Sequence, residues 1–207
     1  GGLDKQAGIE CQVYTSENNS WLFEFPSLPK GRFNSVCFVY RDSLYVFGGT
    51  DNSSNMNEIV RYDLSTQNSG EWTTIAKVNE ANQRGGVAFV VEDKVYAGLG
   101  EKSSGIRNGF YVSSDSLTKW EPIPSIPAQL GVISSGVYDE QKKSFFMIDN
   151  DGKIWEYNLT TAQWTSRSLW IRMKNYHMFM LDGSIYILGQ DIYQKNKFTV
   201  YNPIWDN

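Results

Sequence analysis

The chain has 207 residues, 41% of them hydrophobic, with 18 Gly, 6 Pro and a formal charge of −4. This is long enough to bury a core as one large domain or two small ones, and it excludes a collagen, a low-complexity tail and a disordered chain. The negative balance gives a nucleic-acid partner no electrostatic footing, and no apolar run approaches the roughly 18 residues that a membrane span needs.

In chain order, Gly1 to Ile9 carries neither a basic nor an apolar segment, so no signal peptide is read there. Cys11 and Cys37 are the only cysteines. Both lie in apolar, strand-like stretches and are expected as buried free thiols; a disulfide between them stays open. Val36–Tyr40 and Leu44–Gly49 flank Arg41-Asp42-Ser43, two apolar β-type runs around a polar turn, hence a hairpin. Shifted by 51 residues the pattern returns without a gap, in Phe89-Val90-Val91 and Val95–Gly100 around Glu92-Asp93-Lys94. It returns again in Gly136–Tyr138 with Phe145–Ile148, and once more in Met178–Leu181 with Ile185–Gly189.

A second half follows each hairpin: a strand bearing an aromatic residue, a polar turn, then a Trp. Trp21, Trp72, Trp120, Trp164 and Trp205 are spaced by 51, 48, 44 and 41 residues. A four-stranded sheet of this length cannot bury both faces alone, whereas sheets stacked around an axis cover one another. The aromatic content, 14%, then reads as packing between splayed sheets.

These residues resemble a kelch-repeat β-propeller. Tyr45 to Gly49, Tyr62, Asp63 and Trp72 match the family's pattern almost in full. In the second copy Leu99 replaces one glycine of the pair. In the third, Asp149-Asn150 stands in its place, residues that tolerate a left-handed backbone best after glycine. In the fourth, Gly189 is followed by Gln190. Ser113-Ser114-Asp115-Ser116-Leu117-Thr118-Lys119-Trp120 is similar to the sialidase-type Asp-box at Ser113, Asp115 and Trp120, a structural turn and not a catalytic one. The resemblance implies an all-β, kelch-type β-propeller of four-stranded antiparallel blades, in a single domain spanning 1–207. The blade segments are about 1–30, 31–81, 82–129, 130–171 and 172–207, or about four and a half blades. The chain is then either a fragment of a larger ring or a small ring closed by both termini. Mixed blades of this kind resemble bacterial surface or periplasmic propellers.

His177 is the only histidine, so no zinc or copper centre of the usual kind is expected, and no cofactor. HExxH, CxxC, GxGxxG, GxxxxGK[ST] and GxSxG are all missing. The alternation of strands puts the loops before first strands and after second strands on one face, the face that kelch propellers commonly use for partners. The loops before first strands carry Lys30, Arg32, Lys77, Arg84, Arg167, Arg172 and Lys174 against Glu80, which predicts a locally basic face on an acidic protein. Arg32, Arg84 and Arg172 begin blades, and their forks suit carboxylate groups. With Asn34, Lys174, Tyr176 and His177 they form the expected binding set. The reading that follows is a non-enzymatic binding module for a protein segment or an acidic or glycan ligand at the channel mouth, without a catalytic constellation. Two alternatives stand beside it: a carbohydrate-active enzyme, such as a sugar isomerase or lyase, and a structural domain of a larger surface protein.

Overall fold

The computed structural model of the chain describes residues 7–102, 104–106, 109–114, 116–127, 132–168, 173–191 and 193–201. It opens with a two-stranded sheet, β1 (Cys11–Thr15) and β2 (Ser20–Phe25). Blade one is β3 (Val36–Tyr40), β4 (Ser43–Phe47), β5 (Glu58–Asp63) and β6 (Thr73–Lys77). Blade two begins with β7 (Val87–Val91) and β8 (Lys94–Gly98). A small hairpin follows, β9 (Glu101–Lys102) and β10 (Gly105–Ile106), and the blade resumes with β11 (Phe110–Ser114) and β12 (Glu121–Ile123). Blade three is β13 (Ile133–Asp139), β14 (Ser144–Asp149), β15 (Lys153–Asn158) and β16 (Gln163–Ser168). Blade four is β17 (Lys174–Leu181), β18 (Ser184–Gln190) and β19 (Asn196–Tyr201). Every sheet neighbour is antiparallel, and the four blades form a β-propeller.

Short-range chemistry explains the hairpins. Arg41-Asp42 and Asp182-Gly183 take positive φ at both central positions, the requirement of a two-residue type I′ turn. The turn of blade three is longer, and the Asp139 carboxylate accepts the Lys142 N–H at 3.0 Å to hold it. In blade one the glycine pair is indispensable: Gly48 and Gly49 have φ of +64° and +95°. A Cβ on Gly48 would stand 2.5 Å from the Ala81 carbonyl oxygen and 2.6 Å from that of Gln83.

The third blade solves the same turn differently. Neither Asp149 nor Asn150 adopts a positive φ; Gly152 does, at +81°. The Asp149 side chain instead accepts from the N–H groups of Asp151 (3.0 Å) and Lys153 (2.9 Å) and from Trp155 Nε1 (3.2 Å). A carboxylate that gathers three donors replaces a backbone conformation, which corrects the expectation from sequence. In blade two Leu99 takes the left-handed conformation itself, at φ +62°, with its side chain fully buried.

The core lies in the seams. Between blades one and two, Phe38, Tyr45, Phe47 and Ile59 pack on Val95, Ala97, Leu117 and Trp120. Between two and three, Phe145 lies parallel to Phe89 at 4.4 Å and edge-on to Phe110. Gly136 faces that seam, and a Cβ there would meet the Phe89 ring at 2.7 Å. Between three and four, Phe146, Ile148 and Ile154 pack on Met178, Ile185 and Ile187. Burying each such side chain is worth about 1.5–3 kcal/mol. The indole N–H groups of Trp72 and Trp164 tie blades together from outside, donating to the carbonyls of Pro26 (2.9 Å) and Pro124 (2.6 Å).

Two expectations need correction. Cys37 is exposed and Cys11 half-buried; both are free thiols. Trp21 does not enter a seam: it is exposed and packs on exposed Tyr14 at 5.3 Å. Of the Asp-box resemblance, Ser113 bonds the Lys119 carbonyl, and the Trp120 indole donates to the Leu117 carbonyl at 3.0 Å. Asp115, Gly1-Gly2 and Trp205 lie outside the described residues.

Candidate functional site

The first strands of consecutive blades, β3, β7, β13 and β17, pack on one another and form the inner wall. At one end of that wall each blade repeats the same junction. The segment ahead of its first strand bridges the segment after its second strand: Phe33 with Thr50, and Arg84 with Glu101. The Asn150 N–H likewise donates to the Val132 carbonyl at 3.0 Å, and Lys174 pairs with Gln190. These junctions make the loop face rigid, the condition for presenting side chains to a ligand.

Arg32 stands one residue before the first junction and is fully buried. Its Nη1 donates to the Gly48 carbonyl at 3.2 Å, its Nε to the Lys30 carbonyl at 3.4 Å, and Nη2 lies 3.8 Å from the Glu58 carboxylate. Burial lowers its pKa, and Glu58 opposes that. Arg32 thus braces the glycine turn and does not reach a ligand at the surface. Gln83, 51 residues later, holds the equivalent place: it is buried, and its Oε1 accepts the Gly100 N–H at 3.2 Å.

Arg84 is exposed, and its Nε and Nη2 each lie 2.9 Å from Glu101 Oε2. Asn34 is also exposed, at φ +50°, and its backbone carbonyl accepts the Gly85 N–H at 2.6 Å. Asn55 Nδ2 donates to the Glu101 carbonyl at 2.9 Å, and Lys102 Nζ to the Asn79 carbonyl at 2.8 Å. Asn34, Asn55, Arg84 and Glu101 thus share one patch where blades one and two meet. Lys30 and Asp51 form a 2.7 Å ion pair on the same loops. Lys30, Ser53 and two backbone N–H groups hold the Asp51 carboxyl far below the usual carboxylate range.

The last blade does not extend this patch. Lys174 is exposed. Tyr176 is buried in the seam with blade three, where its hydroxyl accepts the Met173 N–H at 2.8 Å. His177, next on the strand, faces the other way and is exposed beside Leu188. The two therefore build no common wall. Arg172 lies outside the described residues.

The face is also less basic than its cations suggest. Asp51, Glu58 and Glu101 come from the loops and strands after the second strands and meet Lys30, Arg32 and Arg84. Sequence reasoning counted one loop class and missed these acids, together with Asn55. The signal was present in the repeat: Glu101 stands 17 residues after Arg84, as Thr50 does after Phe33. Among the described residues, no three His, Cys, Asp or Glu side chains cluster as a metal site, and no helix is long and apolar enough to cross a membrane.

Residues 31–79 match the Kelch motif. They span the first junction and the whole of blade one. Blade one is thus similar to a kelch blade. The fold of the chain matches 643 solved chains. One is the solved structure of YjhT, with a TM-score of 0.74 at 15% sequence identity, over 93% of this chain and 75% of that one. At this identity the likeness concerns the fold alone. No curated protein matches the chain.

Proposed function

We propose that the chain is a binding module that recognises a protein segment on its loop face, at the boundary of blades one and two. The observation that carries this reading is the patch of Asn34, Asn55, Arg84 and Glu101, exposed or half-exposed polar groups mounted on paired backbone. Propellers with kelch blades typically serve as binding modules. The patch offers donors and acceptors of both charges, which suits the mixed polarity of an extended peptide better than a ligand of one charge. It uses Arg84 and Asn34 of the set expected from sequence and adds Asn55 and Glu101.

A photoreactive residue at position 34, with a second one at position 182 in an opposite-face turn as control, tests this reading. A partner peptide is expected to cross-link from 34 and not from 182, and Arg84→Ala is expected to reduce the yield. Equal cross-linking from both positions would sink it. So would turnover of an acidic sugar that is lost in Arg84→Ala.

A further inference from the structure

Each of the first three blades turns one cross-strand pair towards its successor: Phe38 with Tyr45, Phe89 with Tyr96, and Val137 with Phe146. The cover comes each time from the second strand of the next blade. Val95 and Ala97 cover the first pair, Phe145 the second, and Ile185 and Ile187 the third. Blade four repeats the pair as Phe179 with Tyr186, rings 5.2 Å apart at 9°, against 5.3 Å and 9° for Phe38 with Tyr45. Here it lies open. Phe179 is 41% exposed where Phe38 is 8%, and Leu188, Phe198 and Val200 beside it are exposed too.

The other end of the array has a matching gap. The β1–β2 sheet covers blade one, but only its outer strands. Along the row Cys37, Val46, Val60, exposure falls from open to none. Along Val39, Leu44, Tyr62 it falls from 56% to zero, with Phe25 and Trp72 over Tyr62. Among the described strands β1 pairs with β2 alone, and none of them lies on its other edge. A free strand edge beside an uncovered apolar wall is a template for strand addition.

We propose that these surfaces seat further blade-type β-strands from polypeptide contiguous with this chain. Inner strands join the edge of β1 away from β2, making β1–β2 the outer half of a blade and covering Cys37 and Val39. A second strand bearing apolar side chains covers Phe179 and Tyr186. The precedent is internal, since three seams of this molecule are built that way. The solved YjhT chain agrees in length, a quarter of it lying beyond the matched region.

The test compares the 207-residue chain with the longest natural polypeptide that contains it. Alkylation of Cys37 is followed by mass spectrometry at one pH, with binding of an apolar-surface dye alongside. Cys37 is expected to react at least tenfold faster in the 207-residue chain. Leu188→Ser with Phe198→Ser is expected to halve that chain's dye signal while circular dichroism is unchanged. Equal Cys37 rates overturn the proposal, as does a natural polypeptide no longer than this one. A dimer of the 207-residue chain that Phe198→Glu dissociates assigns the face to a second copy and overturns it too.

Discussion

Arg84 and Glu101 are joined twice. Their backbones exchange hydrogen bonds of 3.0 and 2.8 Å, and their side chains meet at 2.9 Å. The backbone bridge fixes the loop, so the side chains are spare for recognition. An exposed ion pair is worth about 0–1 kcal/mol. Arg84→Ala and Glu101→Gln are therefore expected to shift the thermal midpoint by no more than a few degrees while sharply weakening partner binding. Calorimetry of the variants beside a binding titration checks this.

Arg32 should behave in the opposite way. Arg32→Met keeps the volume but leaves the buried Gly48 carbonyl without its donor, at a cost of about 1–3 kcal/mol. Urea unfolding is expected to show that loss. Partner binding, measured where the variant remains folded, is expected to hold.

Gly48 and Gly183 form a matched pair of probes. Both have positive φ, +64° and +73°, but a Cβ on Gly183 meets nothing within 4 Å. Gly183→Ala is expected to cost only the left-handed penalty, about 1–2 kcal/mol. Gly48→Ala adds a collision with two backbone carbonyls and should cost clearly more. Equal losses in chemical denaturation would refute the difference.

Acid should loosen the loops. The folded pKa values of Asp51, Asp63 and Asp191 are lowered from 3.8, in each case chiefly by hydrogen bonds. Groups depressed in this way contribute stability that is present above their unfolded pKa and is lost as pH falls through the folded one. Stability is expected to be flat from pH 7 to 5 and to fall below about 4. Asp51→Asn should reduce that fall, as read by denaturant midpoints across pH.

The sequence carried the architecture because the repeat is written in residues that each seam needs. Tyr45 and Tyr96 recur 51 apart and occupy the same register. The Trp72 and Trp164 indoles make the same bond to a proline carbonyl. The site was less legible for two physical reasons. Alternation along β17 sends Tyr176 and His177 to opposite faces, so adjacency in sequence does not make them neighbours in space. The charge of a loop also depends on what lies across from it, and Asp51, Glu58 and Glu101 come from other segments than the cations they meet. Arg32 shows the same limit: its position pointed to the channel mouth, and only the Gly48 carbonyl reveals it as a brace.

Gly136 has a consequence for shape. The tip of the Phe89 ring rests where a side chain would stand, so at that point blades two and three approach closely only because Gly136 has no side chain. A methyl group at that point would act as a wedge near the axis and open the angle between the two sheets. Because the first strands lean on one another around the wall, that widened angle would be passed to the neighbouring seams, and the bore of the channel would change with it.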